Sequence, residues 1–95
     1  MKVFKTDTFE DFIKRIEDRD LEISSEIYSK ITKAYKRNYK KVKVFTVTLN
    51  NGDQFDFEIK RDEWSKALNT CMDTFAENDM FEECIEIKIL LEQLK

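Results

Sequence analysis

The sequence predicts a single α+β domain: a β-hairpin packed with four helices in the order (β)ααββαα, with a short first strand that would extend the sheet to three antiparallel strands. Three observations carry this. Two β-rich runs alternate apolar and polar residues on either side of Asn51-Gly52, and Asn-Gly between such runs is a strong hairpin signal. Four other segments repeat apolar residues at spacings of three and four, the period of a helix face. Nothing alternates strand with helix as a doubly wound sheet would. At 95 residues the chain has the size of one hydrophobic core.

Residues 1–5 read as a short edge strand. Phe9, Phe12, Ile13 and Ile16 then mark one face of a first helix over about 8–18. Thr6, Asp7 and Thr8 offer capping oxygens before it, and Glu10 and Asp11 suit its positive end. A second helix runs from Asp20 to Asn38 on the stripe Ile23, Ile27, Ile31 and Ala34, with Ser24 and Ser25 as alternative caps for a later start. Val42, Val44, Phe45, Val47 and Leu49 form a strand that returns as Gln54–Lys60 through a type I′ turn at Asn51-Gly52. Asp62 is the expected cap of a third helix carrying Trp64, Ala67, Leu68, Cys71, Met72 and Phe75. Asn78-Asp79 breaks it, and a fourth helix over about 80–94 follows on Met80, Cys84, Ile87, Leu91 and Leu94. So short a break implies an antiparallel helical hairpin.

Composition narrows function. The apolar fraction of 41% belongs to a globular chain, and the charged fraction of 39%, against about 25% on average, implies a densely charged surface. There is no histidine, no proline and one glycine. The commonest general base is therefore missing, and a glycine-rich phosphate loop cannot be built. No metal or cofactor site is expected. Asp53, Asp56 and Glu58 lie around the hairpin without calcium-loop spacing. No apolar run approaches a membrane span, the start of the chain lacks a signal-peptide pattern, and Cys71 and Cys84 fall on apolar stripes as reduced thiols. The expected location is the cytoplasm.

Charge is segregated along the chain. Residues 30–43 hold seven bases (Lys30, Lys33, Lys36, Arg37, Lys40, Lys41 and Lys43) and no acid, whereas residues 67–95 hold seven acids and two bases. The basic run, with Tyr35 and Tyr39 interleaved, has the make-up of a phosphate-tracking surface; attraction to a helix C-terminus explains part of it. On the acidic side, Glu10, Asp11, Glu17 and Asp18 are expected near one another, as are Glu82, Glu83 and Glu86. Rows of carboxylates can occupy a groove that normally holds nucleic acid. The fourth helix also has more apolar residues than one face needs. Phe81, Ile85 and Ile89 lie beside its main stripe, which points to a covering partner, a second copy included.

Two resemblances add to this. The segment NDMFEECIEIKILLEQLK is similar to the UVR motif, the helical hairpin of the excision-repair proteins UvrB and UvrC: an aromatic, two acids, a small-residue pair and a charged-aliphatic helix. It departs where that motif has Ala-Ala and Leu-Arg-Asp, since Cys84-Ile85 and Ile87-Lys88-Ile89 stand there. In composition the whole chain resembles the small early proteins of T4-like bacteriophages, which include anti-restriction DNA mimics of the Arn type. The function expected is non-catalytic inhibition of a host defence or nucleic-acid-processing protein, with acidic mimicry as the means. The alternative is a small nucleic-acid-associated regulator using residues 30–43.

Overall fold

The computed structural model describes residues 2–94, and the elements follow the expected order: β1 (Val3–Thr6), α1 (Phe9–Glu17), α2 (Leu21–Lys36), β2 (Lys41–Leu49), β3 (Gln54–Lys60), a 3-10 turn (Arg61–Glu63), α3 (Trp64–Glu77) and α4 (Phe81–Leu94). The sheet order is β1-β2-β3. β3 is antiparallel to β2, but β1 pairs parallel to it, Phe4 opposite Val47. The sheet is therefore mixed, not antiparallel. Parallel neighbours need a long crossover, and α1 with α2 supplies it.

The hairpin turn also differs from the expected type I′. The N–H of Gly52 donates to the carbonyl of Leu49 (3.0 Å), and the N–H of Leu49 to that of Asp53 (2.8 Å). Gly52 sits at φ 91 while Asn51 is not left-handed, the geometry of a three-residue loop closed by a glycine. The Asn51 side chain completes it, accepting from the Asp53 N–H at 3.0 Å.

A β-bulge at Val44 shifts the pairing from Lys43↔Glu58 to Phe45↔Phe57. Val44 and Phe45, adjacent in sequence, are consequently both fully buried. The bulge explains why the apolar positions of β2 change phase after Val44.

The ends of α1, α2 and α3 are defined. Thr8 and Asp20 cap α1 and α2, accepting from the N–H groups of Asp11 and Ile23. Ser24 is buried inside α2 and caps nothing. Asp62 does not cap α3: it falls in the 3-10 turn, and the helix starts at Trp64 without a side-chain cap. At their C-termini, α1, α2 and α3 all close with a left-handed residue (Arg19, Asn38 and Asp79) and paired back-bonds such as Tyr39 N–H to the Ala34 carbonyl (2.9 Å). This motif usually recruits glycine, which this chain spends once, at the hairpin.

One sheet face is covered and the other is wet. Phe4, Phe45, Val47 and Ile59 are buried, while Val3, Lys5, Asp56 and Glu58 are exposed. An aromatic group seals the joint with α1, the Phe45 ring lying 4.9 Å from Phe4 and 5.6 Å from Phe12. Ile23, Ile27, Ile31 and Ala34 of α2 and Trp64, Leu68, Cys71 and Phe75 of α3 fill the centre, and Cys84, Ile87 and Leu90 close it from α4. Burying each large apolar side chain contributes about 1.5–3 kcal/mol.

Candidate functional site

Helices α2, α3 and α4 pack on one another, and their directions decide where charge collects. Contacts pair Arg61 with both Tyr35 and Trp64, Cys71 with Ser24, and Arg19 with Glu77, so α3 runs antiparallel to α2. Tyr28 bonds to Glu86, and Tyr35 and Lys36 line a groove with Gln93, so α4 runs parallel to α2. The N-termini of α2 and α4 and the C-terminus of α3 therefore share one end. The C-termini of α2 and α4 and the N-terminus of α3 share the other, about 24 Å away along the 16 residues of α2.

The first end is acidic. It gathers Asp73 and Glu77 of α3, Asp79 of the turn, and Glu82, Glu83 and Glu86 of α4. The Arg19–Glu77 ion pair draws in the corner bearing Glu17 and Asp18. Of these, Glu83 is half-buried and the others are exposed. Glu10 and Asp11 do not join them. They stand at the opposite end of α1, about 9–11 Å from Glu17 along the axis, where Phe9 packs on Phe55 beside the hairpin. Glu86 accepts the Tyr28 hydroxyl; burial, and then this bond and the charges of Glu86 and Glu83, push the Tyr28 hydroxyl well above its ordinary value. Asp73, Glu77 and Asp79 become part of the tip only through the α3–α4 hairpin, and the acidic count over residues 67–95 was their sequence signal.

The second end is basic. Lys33, Lys36, Arg37, Lys40 and Lys41 are exposed, and none forms an ion pair among the described residues. Lys30 also lacks one, whereas Lys43 pairs with Asp56 across the strands at 3.5 Å. Two residues join that sequence reasoning missed. Lys60 stands opposite Lys41 in the β2–β3 register. Arg61 follows it, its N–H donating to the Lys40 carbonyl at 2.8 Å. Its guanidinium lies over the rings of Trp64 (5.4 Å) and Tyr35 (5.5 Å) and donates to Asn38 Oδ1 and the Tyr39 carbonyl at 3.3 and 3.4 Å. No sequence signal marks this pairing: counting back from a two-residue turn sets Lys41 against Asp62, and only the three-residue loop and the bulge at Val44 bring Lys60 opposite it.

The third feature is the outer face of α4. Phe81, Ile85 and Ile89 are 58, 59 and 55% exposed at four-residue intervals, on a helix whose other side holds Cys84, Ile87 and Leu90. The surplus apolar arc is thus open to solvent. Its first residue, Phe81, adjoins Glu82 and Glu83 at the acidic tip.

No group of three or more potential metal ligands occurs among the described residues, and none of their helices is long and apolar enough to cross a membrane. A cleft of about 260 Å³ lies between the α1–α2 corner, β3 and α3, lined by Ile16, Ile23, Phe57 and Ala67 with Glu58, Glu63 and Lys66 among its polar neighbours. Cys71 at its floor is buried, which pushes its thiol up to about 12. An unactivated thiol of this kind is no nucleophile at neutral pH. No protein-family model matches the chain, and no curated protein and no solved structure matches it either.

Proposed function

We propose that the protein acts without catalysis, by stoichiometric binding of its acidic tip and the adjoining α4 stripe to a basic, partly apolar groove on another protein. The observation that carries this reading is the convergence of carboxylates from the α1–α2 corner, α3 and α4 beside three large apolar side chains that are more than half exposed. Carboxylates complement a cationic groove and speed encounter. Apolar anchors inside such a charged rim supply the affinity that charge alone does not. A groove of that kind is one that ordinarily holds nucleic acid. The phage-like composition adds the target class: a host defence or nucleic-acid-processing protein in the bacterial cytoplasm.

The test is capture of partners from bacterial lysate on tagged protein, with and without nuclease, read by mass spectrometry. One nuclease-resistant host protein is expected, absent from the variants Glu82→Lys/Glu83→Lys/Glu86→Lys and Ile85→Asp. Capture that survives both variants would remove the acidic tip and the stripe from consideration. A second copy is the other occupant considered for the stripe. A dimeric mass by light scattering, lost in Ile85→Asp, would assign the stripe to self-association instead.

A further inference from the structure

We infer that the basic end is a second, independent site, one that binds single-stranded nucleic acid. Lys36, Arg37, Lys40, Lys41, Lys60 and Arg61 supply the phosphate contacts, and Tyr39 supplies a stacking platform. Four observations support it. First, these six cations share the end with three carboxylates, Asp62, Glu63 and Glu92, a local charge of +3 on a chain whose net charge is −3. None of the six is ion-paired among the described residues.

Second, Lys41 and Lys60 oppose one another across adjacent strands. A like-charged pair there is unfavourable for folding and becomes favourable only when an anion lies over it. Third, the aromatic is presented and held. Tyr39 is 50% exposed, while the backbone beneath it is anchored by its N–H on the Ala34 carbonyl and by Arg61 on its own carbonyl. Stacking of bases on an exposed aromatic ring beside a cationic track is how single strands are bound without sequence preference.

Fourth, the overall negative charge does not oppose the site. The acidic tip lies between about 12 Å (Glu86, beside Tyr28) and 24 Å away along α2, some one and a half to three Debye lengths at 0.15 M salt, so the basic end acts on a ligand chiefly through its own local field. The patch is made of a helix end, a short loop and two strand ends. It offers no element to enter a duplex groove, which favours the single strand over the duplex.

The experiment is fluorescence anisotropy of labelled oligothymidylate and oligouridylate of about 12 nucleotides, within the range one small domain covers. The full chain is titrated at several salt concentrations from about 20 mM upward. Both probes should bind, and the logarithm of affinity should fall against the logarithm of salt with a slope of about −2 to −3, as three or four phosphate contacts require at ~0.7 each. Lys36→Glu/Arg37→Glu/Lys40→Glu/Lys41→Glu should lose at least a hundredfold. Tyr39→Ala should lose about tenfold with the slope unchanged, and Tyr39→Phe should restore binding. At about 0.15 M salt the acidic-tip variant Glu82→Lys/Glu83→Lys/Glu86→Lys should stay within about threefold, so that failure here and failure of the proposed protein-binding reading are separable. Unchanged melting curves establish that the variants fold. No binding at the lowest salt, binding indifferent to Tyr39→Ala, or tighter binding of a duplex of equal length would each overturn the inference.

Discussion

Trp64 joins the core to the basic end, and replacing it by Phe tests how far one side chain holds that junction. The ring is fully buried, and its Nε1–H donates to the Ile59 carbonyl at 3.1 Å, while Arg61 lies over its face at 5.4 Å. Trp64→Phe removes the hydrogen bond, worth about 1 kcal/mol net. It also leaves a cavity of roughly one to two methylene volumes, worth about 1–2 kcal/mol in lost transfer and packing. The weaker cation–π contact adds about 0.5 kcal/mol. A loss of about 3 kcal/mol follows, equivalent to a fall in Tm of roughly 12–24 °C for a chain of this size. Trp64 is the sole tryptophan, so its fluorescence vanishes with the substitution. Urea unfolding followed by far-ultraviolet circular dichroism at equal m-values is the assay that serves both proteins. A loss below about 1 kcal/mol would show that the site relaxes around the smaller ring, and the account of Trp64 as a keystone would be wrong.

Three further outcomes are expected. Asp79→Gly should stabilise the protein by about 0.5–1 kcal/mol, because Asp79 is held at φ 58 where glycine is unstrained; a destabilised variant in thermal melts would contradict this. Asp20→Ala should cost about 1–2 kcal/mol at pH 7 through loss of the α2 cap. Burial acts to raise the Asp20 carboxyl, but hydrogen bonds from Arg15 and the Ile23 N–H outweigh it and hold it below the ordinary 3.8. Its contribution is therefore present above that value and lost as pH falls below it, so Asp20→Ala should flatten the acid limb of a stability–pH curve. Cys71 behaves in the opposite sense. Its folded value of about 12 lies above the ordinary 9.0, so its contribution is intact below pH 9 and lost between 9 and 12. Urea midpoints should decline over that window, and Cys71→Ala should decline less; identical alkaline slopes in the two proteins would refute it.

How much of this was legible depends on whether a feature is local. The helices were readable because their apolar residues recur at three and four, and the hairpin because Asn-Gly sits between two alternating runs. The turn type was not readable. Both candidate loops use Asn and Gly, and the choice depends on whether Leu49 or Asn50 makes the closing bonds. The direction of β1 was equally hidden. Four residues carry no register signal of their own, and direction is set by where the α1–α2 crossover returns the chain. Asp62 looked like a cap because a short acid precedes Trp64 by two residues, but β3 runs through Lys60 and the chain tightens into a 3-10 turn before α3 begins. On α4, periodicity identified a surplus of apolar residues, while tertiary packing decided that Cys84 and Ile87 face inward and Phe81, Ile85 and Ile89 outward. The charge runs were legible as runs. Their gathering into two ends needed the parallel setting of α2 and α4.

That setting bears on whether the basic end has a purpose beyond stabilising a helix. Acids at helix N-termini and bases at C-termini are favoured by the helix dipole, and with α2 and α4 parallel the same preference acts twice in one direction. Glu22, Glu82 and Glu83 in first turns, and Lys33 and Lys36 in the last turn of α2, follow that rule. The dipole's influence fades within one turn and is worth about 0.3–1 kcal/mol per residue. It accounts for neither Lys40 and Lys41, just before and at the start of β2, nor Lys60 at the end of β3. A strand has almost no dipole to offset, and Lys41 and Lys60 face one another across the ladder. Their placement costs folding free energy, and no ion pair among the described residues offsets it. An external anion is the partner that would make the arrangement favourable.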